Sequence, residues 1–192
     1  MICSKVLVPS GVLGLGFDIE ALKNGLNRKP DIISIDGGST DSGPYSLGSG
    51  TSKYSRSAIK SEWKILMKAR EEAKIPLLIG SSGTCGTDEM VDWMEDITIE
   101  LAEEMGQSIK ITKLYCEQNK EFIKTSFKKQ KISSLDPSPK LDADIIHDMS
   151  HIVALAGAEQ IQECIKTGAD IILAGRTTDT AIISALPLMK GA

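Results

Sequence analysis

The chain predicts an α/β fold in three layers, a mostly parallel sheet with helices on both faces. Short β-rich runs alternate with longer segments of helical spacing, the pattern of strands joined by helical crossovers. The clearest runs, Ile32-Ile33-Ser34-Ile35, Leu77-Leu78-Ile79 and Ile171-Ile172-Leu173-Ala174, read as buried strands. Four strands also end in similar loops of Gly, Ser, Thr and Asp, and in a parallel sheet such loops share one edge.

The elements follow in order. Lys5–Pro9 is the first strand, and Asp18–Leu26 has helical spacing through Ile19, Leu22 and Leu26. Asp31–Asp36 is the second strand, followed by a polar loop to about Lys53. Ser57–Lys74 is a helix, with Ile59, Trp63, Leu66, Met67 and Arg70 spaced by three and four. Pro76–Ile79 is a strand, and Thr87–Met105 a helix ending at Gly106, the residue type that best tolerates a helix C-terminus. Ile109–Tyr115 alternates apolar and polar positions, as a strand with one wetter face does. Glu117–Lys131 reads as a helix, Pro137 and Pro139 as an excursion over the surface, and Met149–Thr167 as a helix ending at Gly168. Asp170–Ala174 is the last strand, with a helix from about Thr178.

The 192 residues form one domain in this reading, and 41% hydrophobic content is enough for a core that must be aliphatic, since aromatics are only 4%. The Leu186–Ala192 tail barely completes its strand–helix unit. It reads as a natural end, as the N-terminal part of a longer domain, or as a subunit completed by a partner or a second copy. A net charge of −4 argues against a nucleic-acid surface, which needs clustered cations; Lys124–Lys131 is the one basic run and reads as a solvated helix end. No apolar run has the length of a membrane span. Cys3, Cys85, Cys116 and Cys164 lie far apart, so free thiols and a cytoplasmic setting are expected, with no structural zinc.

The four loops carry the candidate chemistry. Gly11–Gly16 has the spacing GxxGxG, either a loose echo of a dinucleotide loop or a tight strand-to-helix turn. Asp36-Gly37-Gly38-Ser39-Thr40-Asp41 puts two carboxylates, Asp36 and Asp41, on a loop whose glycines allow close approach to a ligand. Gly80-Ser81-Ser82-Gly83-Thr84 opens a helix and lacks the P-loop lysine. It is either an anion cradle or simply the approach to an N-cap at Thr87 or Asp88, and Cys85 there is either an activated or an inert buried thiol. Gly175-Arg176-Thr177-Thr178-Asp179 sets a guanidinium directly after a strand, where it clamps a carboxylate or phosphate or else pairs internally with Asp36 or Asp179. His147 and His151, four apart, would share a helix face as a metal site, an acid–base pair or packing residues; no metal is assigned to them.

The runs DGGSTDSGPYSLGSG (36–50), GSSGTCGTDE (80–89) and ADIILAGRTTDTAIISALPL (169–188) resemble the acyclic terpene utilisation protein family, from the first strand to Leu188. The resemblance implies a cytoplasmic protein, longer than this chain, that handles a carboxylate or acyl thioester in the breakdown of branched or terpene-type acids. It assigns no role to any residue and names no cofactor. The combined expectation is hydration, dehydration or proton transfer on a small organic acid or acyl-CoA. Asp36, Asp41 and Arg176 would be catalytic. Gly37, Gly38, Ser39, Thr40, Gly80, Ser81, Ser82, Gly83, Thr84, Thr177 and Asp179 would line the ligand. A non-catalytic ligand-binding or subunit-assembly module is the competing expectation.

Overall fold

A computed structural model describes residues 4–38 and 43–191. Cys3, Ser39, Thr40 and Asp41 therefore lie outside the described residues. The elements run β1 (Val6–Leu7), α1 (Ile19–Leu26), β2 (Ile32–Asp36), α2 (Tyr45–Ser49), α3 (Arg56–Ala73), β3 (Leu77–Gly80), α4 (Asp88–Met105), β4 (Ile111–Leu114), α5 (Lys120–Lys128), α6 (Ala143–Asp148), α7 (Ala158–Lys166), β5 (Ile171–Ala174) and α8 (Ala181–Met189). The five strands form one parallel sheet in the order β1-β2-β3-β5-β4, as the run pattern predicts.

Strand alternation sorts the core into two layers. Ile33, Ile35, Leu77, Ile79, Ile171 and Leu173 face one way, against Leu22 of α1, Ile59, Trp63, Leu66 and Met67 of α3, and Val91, Met94, Ile97 and Leu101 of α4. Ile32, Leu78, Ile172 and Ala174 face the other way, against Ile161 and Cys164 of α7 and Ala181, Ile182 and Ala185 of α8. Asp36 stands two residues beyond Ser34 and four beyond Ile32, so its side chain lies on the α7–α8 side at the carboxyl edge.

The fully buried Trp63 joins α3 to α4: its Nε1–H donates to Thr98 Oγ1 at 2.9 Å, and that hydroxyl donates to the Met94 carbonyl at 2.6 Å. Thr98→Val keeps the volume and strands the indole N–H in the core, so it should cost about 2 kcal/mol. The urea midpoint checks this: a fall for Val with much less for Ser supports the bond, and an unchanged midpoint for Val refutes it.

Three expected elements are corrected. The polar loop before Lys53 contains α2. Glu117 is not helical; it bridges Val153 in extended form, and α5 starts only after Asn119 caps the N–H groups of Glu121 and Phe122. The helix expected over Met149–Thr167 begins at Ala158. Before it, residues 151–157 lie along the sheet edge because their backbone finds partners there: Gln118 N donates to Ile152 O, Ala154 N to Cys116 O and Ala156 N to Arg176 O. As a result His147 sits in α6 while His151 lies beyond its end, so the two do not share a helix face.

Candidate functional site

The strand order gives the carboxyl edge a switch point. β3 leads to α4 on one face of the sheet and its neighbour β5 leads to α8 on the other, so the 80–87 and 175–180 loops part in opposite directions between them. Asp36 ends the strand on the other side of β3, in register with Gly80.

Close backbone contact welds these loops together. Gly37 N donates to Gly80 O at 2.7 Å, Ser81 N to Gly175 O at 2.8 Å and Ser82 N to Ala174 O at 3.0 Å. The Ser82 hydroxyl donates to Ala174 O at 2.8 Å, and the Ser81 hydroxyl bridges the carbonyl and N–H of Thr177, each at 3.4 Å. Cys85 N and Gly86 N are also bonded within the loop, and Asp88 N is held by Glu117 Oε2. A Cβ at Gly37 would collide with the Ser81 carbonyl, and one at Gly80 with the Thr177 hydroxyl. Gly38 and Gly83 pack against Thr84 and Met90 in the same way.

Thr84 carries strain. Its φ of 70° is unfavourable for a β-branched residue and costs about 1–3 kcal/mol. Two bonds hold it there: Lys53 N donates to its hydroxyl at 3.1 Å, and Arg176 Nη1 donates to its carbonyl at 3.1 Å. The same Nη1 reaches the Gly38 carbonyl at 3.4 Å, so Arg176 ties the Asp36 loop to the 80–87 loop.

Asp36 is the chemically distinctive group. Its carboxyl is buried, and burial pushes its pKa up to about 6; nearby Asp179 adds to the rise, while the Gly38 N–H at 3.1 Å and the Arg176 charge oppose it. Among the described residues Arg176 forms no ion pair, so the internal pairing with Asp36 or Asp179 is not made. Asp179 is exposed at the start of α8, and Thr177 is buried beside Gly80.

The other candidates resolve differently. In the Gly11–Gly16 loop the N–H groups of Gly14 and Gly16 are taken by the two carboxylate oxygens of Glu62, each at 2.7 Å, so the chain's own carboxylate occupies the place a phosphate would need. Cys85 is fully buried against Thr87, and burial pushes Cys116 up to about 11; Cys85, Cys116 and Cys164 are all unpaired thiols. No group of three or more potential metal ligands occurs among the described residues.

Sequence reasoning missed Glu117. Its Oε1 lies 2.6 Å from Nδ1 of His151, 34 residues away, and no local spacing signals that meeting.

The chain matches the family described as acyclic terpene utilisation family protein AtuA over residues 45–190, about three quarters of its length. It belongs to the AtuA family. The matched span takes in the 80–89 and 169–188 motifs but only the Tyr45–Gly50 end of the first, so in this AtuA protein Asp36 lies outside the match while Arg176, Glu117 and His151 lie inside it. Family membership carries a role in acyclic terpene utilisation. No curated protein and no solved structure matches the chain. No helix among the described residues is long and apolar enough to cross a membrane.

Proposed function

We propose that this AtuA protein is an enzyme acting by general acid–base catalysis on a small carboxylate or acyl thioester, through hydration, dehydration or proton transfer beside a carbonyl. The observation that carries the reading is the buried Asp36 carboxyl at the carboxyl edge, its pKa raised to about 6 beside Arg176. A group poised near neutrality both takes and returns a proton at working pH, which is what catalysis at an α-carbon requires. Arg176 orients the anionic end or polarises the carbonyl, and the 80–87 and 175–180 loops wall the site. Asp41 is the second carboxylate of this proposal, with its sequence neighbours Ser39 and Thr40 as ligand contacts; all three lie outside the described residues.

Incubation in deuterium oxide with a branched acyl-CoA and its α,β-unsaturated counterpart tests the reading by mass spectrometry of the recovered thioester. Deuterium gain or water addition should occur, with a rate profile that breaks near pH 6. Asp36→Asn should lower the rate by about a thousandfold or more, within the range that general acid–base groups supply. No exchange and no hydration with either thioester or the free acids would sink it.

Binding without turnover is the second reading. It is favoured by the Arg176 guanidinium, which bonds to the Gly38 and Thr84 carbonyls and forms no ion pair among the described residues, so its charge is left to hold an anion. A thermal shift with coenzyme A thioesters but no exchange would select it.

A further inference from the structure

β1 is an outer strand of the sheet, paired on one side with β2. Lys5 O accepts from Asp31 N at 2.8 Å, so the backbone groups of Lys5 and Leu7 turn toward β2. By alternation the N–H and C=O of Val6 and Val8 turn outward, and Val8 is exposed. Beside that edge runs a groove of 1180 Å³. It exceeds the about 300–1,000 Å³ usual for a small-molecule pocket. Its walls are Ser4–Val8 and one flank of α1, where Ala21, Asn24, Gly25 and Arg28 recur at helical spacing. No residue of β2 lines it, so it opens on the outer side of β1. A Cβ at Gly25 would run into the Leu7 side chain, so α1 lies close on β1 and the groove follows the strand.

The charge of the groove is one-sided. Lys5, Arg28 and Lys29 line it, and no carboxylate does. Lys5 Nζ is spent on the Arg28 carbonyl at 2.8 Å. Arg28 and Lys29 form no ion pair among the described residues. Asp31, which accepts from the Lys5 N–H at 2.7 Å, is paired with Lys190 and stays out of the lining. These cations stand at the amino end of β1, the opposite end of the sheet from Asp36.

We propose that the groove between β1 and α1 docks an extended acidic segment of a partner protein, which adds a strand to the sheet. Its backbone pairs with the outward groups of Val6 and Val8, and carboxylates on its α1 side meet Arg28 and Lys29. A second copy of this chain is the poorer occupant. Pairing β1 with its own copy brings both sets of Lys5, Arg28 and Lys29 within a short strand's length of each other. The cations that keep two bare edges apart are the ones that attract an acidic chain. The proposal does not depend on the acid–base reading of Asp36.

The test is fluorescence polarisation with a fluorescein-labelled heptapeptide of alternating glutamate and valine, set against one of alternating lysine and valine. The acidic peptide should bind and the basic one should not. Arg28→Glu combined with Lys29→Glu should weaken binding at least about tenfold, while Arg28→Lys stays within about threefold. Strand addition is read from the peptide itself, with the parent protein untouched. In a strand only alternate N–H groups face one neighbour. N-methylation at the glutamates in one peptide and at the valines in another should therefore weaken one about tenfold or more and spare the other. Arg176→Ala should leave the affinity unchanged. No binding of the acidic peptide, equal binding of both charges, or equal weakening by the two methylations overturns the proposal. Loss of binding in Arg176→Ala overturns it too, by placing the peptide at the carboxyl edge. So does concentration-dependent dimerisation that Val8→Pro abolishes, which gives the β1 edge to a second copy.

Discussion

Asp36→Asn should make the protein more stable above pH 6 while abolishing the proposed acid–base activity. The folded-state pKa of Asp36 is raised from 3.8 to about 6, so the unfolded chain gives up this proton more readily than the folded one. Stability therefore falls as pH rises from about 4 to 6 and stays lowered above that, by about 3 kcal/mol at the full shift. Below about pH 4 the carboxyl is protonated in both states and the penalty vanishes. Asparagine is neutral throughout, and its Oδ1 still accepts from the Gly38 N–H that now reaches the carboxyl at 3.1 Å. The variant should thus melt about 5–10 °C above the parent at pH 8 and within a degree or two of it at pH 4. Thermal midpoints at the two pH values decide the matter: an equal difference at both, or a destabilised variant at pH 8, would show that Asp36 is not held ionised at a cost. A buried group that weakens the fold at working pH is what a site retained for chemistry produces.

The second large effect concerns the seam between the loops. Gly86 has a φ of 67°, and a Cβ there would run into the backbone of Arg176, with its Cα at 2.7 Å and the Gly175 carbonyl carbon at 2.8 Å. Both clash partners are main chain directly after β5, so neither can rotate aside. Gly86→Ala combines an unfavourable conformation with overpacking and should cost about 3 kcal/mol or more, near 10 °C in Tm. Gly11→Ala is the control, because its φ is not in the left-handed region and nothing lies within 4 Å of its Cβ position; it should be neutral within about 0.5 kcal/mol. Equal midpoints for the two variants would mean that the loops are not packed as closely as the carboxyl edge requires. Arg176 would lose its bonds to Gly38 and Thr84 in the Gly86 variant, so any exchange activity should fall together with stability.

Ile33-Ser34-Ile35, Leu77-Leu78-Ile79 and Ile171-Ile172-Leu173 mark their strands because a strand in a covered sheet has no polar face to show. The caps at Thr87 and Gly106 were equally legible, since each satisfies orphan backbone groups by residue type alone. Met149–Thr167 misled for the opposite reason. Its apolar spacing suits a helix, but the bonds that decide its first half are made to residues 116, 118 and 176, far away in the chain. Glu117 was misread with it, because a residue whose partner is 34 positions away leaves no periodic trace.

The same division runs through the candidate site. The amino-acid sequence by itself determined the strands, the parallel sheet and the gathering of Gly/Ser/Thr/Asp loops at one edge, because local propensity and hydrophobic period act over neighbouring residues. Only the tertiary structure decided what those loops do to one another. It set Asp36 in a buried place where ionisation is costly and spent Ser81, Ser82 and one nitrogen of Arg176 on holding the loops together. It filled the Gly14–Gly16 turn with Glu62 and brought His151 to Glu117. Desolvation and hydrogen bonding depend on what is near in space, and nearness in space across 34 or 138 residues is a property of the packed chain.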